Sequence, residues 1–198
     1  MTKSLNPKIL HDQIFYYENV VNNTDDIIKI IEKSDNLLSA ESLISDWHDW
    51  IASDESYIFG KRKLTNIENY NESLPEVRFV YDSLSSALDE CAKDYSSANQ
   101  VIIGERMPIS ISKYFSGSQM GPHTDSPPSP TSETISAVLY LNDNYSGGEI
   151  SFPGQGIKIK PMAGSVVIFP SVPPFYHESL MVSEGIKYMS PAFWHLSK

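Results

Sequence analysis

The 198-residue chain has a single cysteine, Cys91, so these residues allow neither an intrachain disulfide nor a metal site built on several thiolates. Cys91 falls within an apolar helical pattern, and we expect a buried thiol there. No apolar run approaches the roughly 18 residues that a membrane-spanning helix needs. Residues 1–7 lack the apolar core of a signal peptide. We therefore expect a cytoplasmic protein with no membrane association.

Basic residues are also few in this chain. Lysine and arginine number 15 against 25 aspartates and glutamates, which gives a formal net charge of −10. Such a balance does not provide the basic surface typical of nucleic-acid binding, so we expect a peptide, protein or small-molecule substrate and no nucleic-acid partner. Hydrophobic residues make up 40% and charged residues 20%, which is typical of a globular chain with a sizeable core.

The first half of the chain has mainly helical periodicity. Apolar residues from Pro75 onward recur every 3.6 positions over about five turns, and proline is favoured at the first position of a helix. The pattern predicts an opening strand within 9–21, helices around 27–31, over 40–52 and over 75–95, and an irregular connection over 53–73 with a short strand at 57–59.

The second half, from Gln100, is rich in short β-prone runs separated by turn residues. The predicted strands are 101–103, 109–115, 135–141, 149–152, 157–160, 166–169 and 187–194. Helices followed by strands predict an α+β fold with a sandwich or jelly-roll body. We expect residues 1–99 to support a catalytic core formed by residues 100–198, both within one domain. The proline-rich stretch 126–132 is predicted to be a loop at the rim of the site.

The candidate chemistry lies in His123-Thr124-Asp125 and in His177, some fifty residues later. Side chains two apart in an extended segment point to the same side, so His123 and Asp125 are placed to act together. A histidine from a distant strand can complete a face of two imidazoles and one carboxylate. This 2-His-1-carboxylate set suits Fe(II) and leaves coordination positions open for a co-substrate and O2. The sequence therefore predicts a metal site and an oxygenase.

Several motifs in order resemble the prolyl-4-hydroxylase-like branch of the Fe(II)/2-oxoglutarate dioxygenases. The resemblance covers roughly residues 100–195. The matching residues are Tyr114-x-x-Gly117-x-x-x-x-Pro122-His123-x-Asp125, Leu139-Tyr140-Leu141-Asn142-Asp143, Gly147-Gly148-Glu149-Ile150-x-Phe152-Pro153, Lys160-Pro161-x-x-Gly164-Ser165-x-x-x-Phe169, His177 and Lys187.

This resemblance implies a double-stranded β-helix with the N-terminal helices packed outside it. It implies Fe(II), 2-oxoglutarate and O2, and it allows for ascorbate. His123, Asp125 and His177 would hold the metal, Lys187 would pair with the far carboxylate of 2-oxoglutarate, and the hydroxyls of Tyr114 and Tyr140 would help to hold it. The expected reaction hydroxylates an unactivated C–H bond while 2-oxoglutarate becomes succinate and CO2. A prolyl residue of a peptide or protein is the first candidate substrate.

The chain departs from the family pattern in residues expected to line the pocket. Met120 stands where an aromatic residue is common, and Phe193 stands near a frequent tryptophan. If Lys187 points inward, strand alternation also sends Met189, Pro191 and Phe193 inward. These changes affect the expected substrate rather than the metal-binding face.

Two other classes of protein remain open from the sequence. One is a jelly-roll module that binds a metal without turnover, and the other is a cupin-type metalloenzyme that does not use 2-oxoglutarate. Lys187 distinguishes the second alternative, because an enzyme without a dicarboxylate co-substrate does not need an inward cation. Substitution of Lys187 would then leave activity largely intact.

Overall fold

The computed structural model of the protein describes residues 5–33, 47–49, 58–66, 74–125 and 134–196. The part of the chain before residue 100 contributes short strands and two helices to this description. They are β1 (Lys8–His11), β2 (Ile14–Tyr17), α1 (Thr24–Lys33), β3 (His48–Asp49), β4 (Ile58–Phe59), β5 (Arg62–Asn66) and α2 (Pro75–Asn99).

The opening strand predicted within 9–21 is in fact an antiparallel pair, β1 and β2, with a turn at residues 12–13. The prediction merged the two because both are β-prone and the turn carries neither glycine nor proline. The helix predicted around 27–31 is confirmed as α1. Its residues Ile27 and Ile31 are buried, as the spacing of four requires for one helix face.

The helix predicted over 40–52 is wrong at His48 and Asp49, where β3 pairs with Leu64 and Lys63 of β5. Trp47 is buried, and its indole nitrogen donates a hydrogen bond to the Ile31 carbonyl at 3.3 Å. Cross-strand pairing and this contact override the amphipathic pattern, which is a weak preference compared with tertiary structure. The other residues of that prediction lie outside the described part of the chain.

The connection predicted over 53–73 contains more structure than expected. The short strand expected at 57–59 is confirmed for residues 58–59 as β4, and Tyr57 lies outside the described residues. Strand β5 was not predicted, because Arg62-Lys63-Leu64-Thr65-Asn66 lacks the apolar alternation of a half-buried strand. The remaining residues of this connection lie outside the described ranges.

Helix α2 is confirmed from Pro75 and runs four residues beyond the predicted end, to Asn99. Gln100 follows in a left-handed conformation with φ of 54°, and its backbone N–H bonds to the Ser96 carbonyl. The helix lies on the outer side of the larger sheet. Its buried face carries Val77, Val80, Leu84, Leu88, Cys91 and Tyr95. Neither described helix is long and apolar enough to cross a membrane.

The second half of the chain forms the remaining strands. They are β6 (Ile103–Arg106), β7 (Ser110–Phe115), β8 (Gln119–His123), β9 (Thr134–Tyr140), β10 (Ser146–Gly147), β11 (Ile150–Phe152), β12 (Ile157–Ile159), β13 (Ser165–Pro170), β14 (His177–Ser179), β15 (Val182–Glu184) and β16 (Ile186–Leu196). The strand predicted over 101–103 is wrong at its start, since β6 begins only at Ile103 where it pairs with β16. The proline-rich stretch 126–132 lies outside the described residues.

Two sheets make the body of the molecule. The larger one has the order β1-β2-β13-β9-β16-β7-β5-β3, with β6 also paired to β16, and the smaller has the order β12-β11-β14-β8-β4. From β7 to β16 the chain crosses repeatedly between the sheets: β7, β9, β13 and β16 are in the larger, β8, β14 and the hairpin of β11 and β12 are in the smaller, and β10 pairs with β15 in a separate two-stranded sheet. This alternation confirms the expected α+β fold with a double-stranded β-helix, or jelly roll.

Both faces of the larger sheet are buried. In strand β13, alternate residues belong to the two different faces. Val166 and Ile168 belong to the apolar cluster beneath α1 and α2, whereas Val167 and Phe169 belong to the cluster between the sheets. Because side chains alternate along a strand, this near-continuous apolar run covers two separate cores. The inner core leaves room at one end of the jelly roll for the site.

Candidate functional site

A cavity of about 290 Å³ opens between the two sheets. The larger sheet contributes side chains from β5, β7, β9 and β16, and the smaller one contributes side chains from β8, β11 and β14. The cavity brings together all six residues that the sequence assigns to the site. These residues are Tyr114, His123, Asp125, Tyr140, His177 and Lys187.

The two histidines and the aspartate converge because β8 and β14 are neighbours. His123 ends β8 and lies opposite His177, the first residue of β14. Asp125 follows two residues later, in a bend beyond the strand end rather than within the strand as the alternation argument assumed. His123 Nε2 lies 3.4 Å from Asp125 Oδ1, and His177 Nε2 lies 3.3 Å from Asp125 Oδ2. One ligand atom from each residue falls within 4.8 Å of the others.

These distances fit a single transition-metal ion. Two ligands at about 2.1 Å from a metal, at right angles, are themselves about 3.0 Å apart. The two rings are also oriented for binding. His123 Nδ1 lies 2.8 Å from the Gly121 carbonyl and His177 Nδ1 lies 3.4 Å from the Phe175 carbonyl. A carbonyl only accepts, so Nδ1 of each ring donates to it, and Nε2 is the nitrogen that faces Asp125 and would bind a metal after giving up any proton of its own.

The carboxylate of Asp125 is held in its ionised form. Burial alone raises the pKa of a carboxyl group, but hydrogen bonds and charge from His123 and His177 outweigh burial and bring the pKa of Asp125 far below its usual range. Ser136 Oγ also donates to Asp125 Oδ2 at 2.6 Å, and Ser136 in turn lies 2.5 Å from Ser171 Oγ. The sequence argument missed both serines, and no motif identifies them.

Lys187 is fully buried on β16 and lines the same cavity as the three candidate ligands. Its Nζ donates to the Gly148 carbonyl and to Ser179 Oγ, each at 2.8 Å. Burial lowers the pKa of Lys187 to about 7, and the negative charge of Glu149 acts in the opposite direction. Among the described residues, no carboxylate lies within ion-pair distance of this ammonium group. An anion that entered the cavity would therefore meet a desolvated cation without an acidic partner of its own.

The two candidate tyrosines flank this lysine. Lys187 Nζ lies 5.4 Å from the ring centroids of both Tyr114 and Tyr140. Both tyrosines are buried, and burial raises the pKa of Tyr140 well above its ordinary value, so its hydroxyl keeps its proton and can donate to a ligand.

Arg62 is the cavity residue that the sequence argument missed most clearly. Its Nη1 donates to Tyr114 Oη at 2.7 Å, and its guanidinium lies 5.0 Å from the centroid of the same ring. It comes from β5, which pairs with β7 so that Arg62 stands beside Tyr114 and Leu64 beside Ser112. The only sequence signal for β5 was that Arg62 and Leu64 are two residues apart and so face the same side, and one such pair does not define a strand.

The two residues that depart from the family pattern, Met120 and Phe193, both line the cavity, as expected. Met189, Pro191 and Phe193 line the cavity together with Lys187, and Met120 faces it from β8. The intervening β16 residues Tyr188, Ala192 and Trp194 belong to the outer core instead.

Comparison with known proteins agrees with this geometry. Residues 109–195 match the model of the 2OG-Fe(II) oxygenase superfamily, a segment that includes every candidate ligand and Lys187. Over this segment the chain is similar to a 2OG-Fe(II) oxygenase domain. Enzymes of the 2OG-Fe(II) oxygenase superfamily use Fe(II), 2-oxoglutarate and O2, so the residues of the cavity fit the cofactor and co-substrate that the family requires.

Three solved structures share the fold at low sequence identity. A viral collagen prolyl hydroxylase from Paramecium bursaria Chlorella virus-1, in complex with 2-oxoglutarate, is 15% identical with a TM-score of 0.61, covering 94% of this chain and 97% of that one. A Pseudomonas putida prolyl-4-hydroxylase is 18% identical (TM-score 0.63; 94% and 93% covered). A Trichoplax adhaerens prolyl hydroxylase, bound to a hypoxia-inducible-factor peptide, is 18% identical (TM-score 0.68; 93% and 84% covered). No curated protein matches the sequence.

Proposed function

We propose that His123, Asp125 and His177 hold Fe(II). We also propose that Lys187 pairs with the far carboxylate of 2-oxoglutarate, whose keto-acid end would bind the metal. The observation that carries the proposal is the shared cavity. It joins a metal-binding face to a fully buried lysine whose two hydrogen-bond acceptors are neutral. When bound, the metal, 2-oxoglutarate and O2 would supply the oxidation: one oxygen atom of O2 would enter succinate as 2-oxoglutarate loses CO2, and the other would enter an unactivated C–H bond to give the alcohol.

The residues of the chain have three tasks in this function. The histidines and Asp125 leave metal positions open for the co-substrate and O2. Lys187 fixes the length and direction of the dicarboxylate, and the hydroxyls of Tyr114 and Tyr140 beside it help to hold the same molecule. The apolar lining limits water around the reacting atoms.

A prolyl residue within a peptide or protein is the proposed substrate. Support comes from the fold shared with three prolyl hydroxylases, one of which was solved with a peptide. It also comes from the cavity lining, where Leu64, Met120 and Pro191 present apolar surface that an aliphatic ring could contact. The assay is incubation of proline-containing peptides with the enzyme, Fe(II) and 2-oxoglutarate, followed by detection of one added oxygen atom by mass spectrometry.

The co-substrate proposal is tested by anaerobic titration with Fe(II) and then 2-oxoglutarate. Chelation of the metal by a keto acid produces a visible charge-transfer band. We expect the band in the wild-type protein, its loss in His123→Ala, and a much higher 2-oxoglutarate requirement in Lys187→Ala. A metal-loaded wild-type protein without the band would contradict the proposal and favour a cupin-type enzyme or a non-catalytic module.

Three further expectations stay predictions. Residues 1–99 and 100–198 are proposed to act as one domain, which is supported by the pairing of β2 with β13 and of β5 with β7 in one sheet. The need for ascorbate and the cytoplasmic location rest on the sequence analysis alone.

A further inference from the structure

Two buried serines form a hydrogen-bonded chain behind Asp125. Ser136 lies on β9 and Ser171 directly follows β13, and neither is accessible to solvent. Ser136 Oγ lies 2.6 Å from Asp125 Oδ2 and 2.5 Å from Ser171 Oγ. The catalytic scheme above assigns no task to either hydroxyl.

The direction of this chain follows from proton counting. A serine hydroxyl has one proton, and an ionised carboxylate only accepts. Ser136 must therefore give its proton to Asp125 Oδ2, and the contact between the two serines must use the proton of Ser171. The order is Ser171 to Ser136 to Asp125, and it ends in a hydrogen bond to a charged acceptor, which is stronger than one between neutral groups.

The serine chain is what distinguishes the two oxygens of Asp125. Oδ1 lies 3.4 Å from His123 Nε2 and Oδ2 lies 3.3 Å from His177 Nε2, so the histidines give both oxygens similar access to a shared metal. A carboxylate can bind a cation through one oxygen or through both. Ser136 uses one lone pair of Oδ2 and none of Oδ1, so Oδ1 is the more available ligand atom.

We propose that Ser136, supported by Ser171, is a positioning residue that restricts Asp125 to one metal-binding oxygen. This inference rests on the proposed metal site. With one oxygen bound, the protein fills three metal positions and leaves three, two for the keto acid and one for O2. A second bound oxygen would occupy a position that 2-oxoglutarate needs. The serine chain thus protects co-substrate binding rather than metal binding.

The test is Ser136→Ala, measured in two titrations. Co(II) affinity is followed by absorption, and 2-oxoglutarate affinity on the Fe(II) protein is followed by the charge-transfer band. We expect unchanged or tighter Co(II) binding together with 2-oxoglutarate affinity lowered about tenfold, the lower end of the range for outer contacts of a metal site. Ser171→Ala should shift 2-oxoglutarate affinity in the same direction by less. Ser136→Thr keeps a hydroxyl at this position, so its 2-oxoglutarate affinity should be close to the wild-type value.

Ser190→Ala is the matched control. Ser190 is another inaccessible serine of the same sheet, and its Oγ donates to the Ser110 carbonyl at 2.8 Å without touching a candidate ligand. It should leave both affinities at wild-type values.

Two results would overturn the inference while leaving the proposed function intact. One is a parallel loss of Co(II) and 2-oxoglutarate affinity in Ser136→Ala, which would make the serine a general support of the metal site. The other is no change in either affinity. Failure of the wild-type protein to give the band would instead overturn the proposed function, and this inference with it.

Discussion

Two buried lysines lie on neighbouring strands and on opposite faces of the larger sheet, and their surroundings differ. Lys113 of β7 faces α1, with its Nζ 2.9 Å from Glu32 Oε1 and 4.1 Å from the centroid of the Trp47 ring. Lys187 of β16 faces the cavity and donates to two neutral acceptors. Within the described residues, the chain therefore supplies a carboxylate for Lys113 and only neutral hydrogen-bond acceptors for Lys187.

The two lysines contrast a structural charge with a charge that we propose to be functional. A buried ion pair whose partners both belong to the chain ties elements together, and here it ties α1 to the sheet. A buried cation with neutral neighbours costs stability in the folded protein, and binding of an anion offsets that cost. Burial alone does not distinguish the two lysines, since Lys113 is 3% exposed and Lys187 is 0% exposed.

The largest expected effect is the loss of co-substrate binding in Lys187→Met. This change keeps the length of the side chain and removes its charge, leaving the far carboxylate of 2-oxoglutarate desolvated and unpaired. Losing one partner of a buried pair costs about 3–5 kcal/mol, so the affinity from the charge-transfer titration should fall by more than about a hundredfold. Lys113→Met should bind 2-oxoglutarate like the wild type. Equal losses in both variants would show that Lys187 and Lys113 do not differ in their role in co-substrate binding.

The pH dependence of stability should also identify Lys187. Its pKa is about 7 in the folded protein, compared with 10.5 for a solvent-exposed lysine, so between these values the unfolded state binds more protons and stability rises with pH. Between about pH 7 and pH 9 the ligand-free wild type should gain about 2 kcal/mol relative to Lys187→Met. Denaturation curves of both proteins at each pH measure this difference. A difference that stays flat with pH would mean that the buried amine keeps its charge.

A smaller effect is expected for the structural lysine. Lys113→Met removes the partner of Glu32, whose side chain is 35% exposed, so solvent screens part of the loss. The free energy of unfolding should fall by about 1–2 kcal/mol, measured by urea denaturation. Lys33→Met is the matched control, because its pair with Glu76 is exposed on both sides and should contribute little. Equal stability of the two variants would show that the Glu32 pair is no stronger than a surface pair.

The smallest effect is expected where β5 meets the co-substrate region. Arg62→Gln and Tyr114→Phe each remove the 2.7 Å hydrogen bond between these side chains. We expect each to weaken 2-oxoglutarate binding about threefold to tenfold, and the double variant to be little worse than either alone because both remove the same interaction. Arg78→Gln, an exposed position on α2, serves as the control. Fully additive losses would show that the two side chains act separately.

Periodicity could predict the strand on which Lys187 lies and its cavity-facing neighbours. The two-residue alternation along β16 places Met189, Pro191 and Phe193 with the lysine, as expected. The helix from Pro75 could be predicted equally well, because its apolar stripe continues over many turns. Both patterns are local, and the sequence carries them without reference to a partner strand.

The missed residues depend on contacts between distant parts of the chain. Strand β5 is polar and exists through its pairing with β7, so Arg62 could not be placed in the cavity from its own neighbours. Ser136 and Ser171 are 35 residues apart, and hydroxyls have no spacing rule that would join them to Asp125. The helix predicted over 40–52 failed at His48 and Asp49 for the same reason, because their pairing with β5 is a tertiary effect.

The position of β5 also matters for redesign of the enzyme. The ladder between β5 and β7 is formed by backbone atoms, while Arg62 and Leu64 project into the cavity. Substitutions at these two positions can therefore vary the wall while the ladder and the metal-binding motif stay the same. A small set of variants at Leu64, with Arg62 kept for its hydrogen bond to Tyr114 and screened against a panel of peptides, would use this separation to retarget the enzyme without rebuilding its catalytic centre.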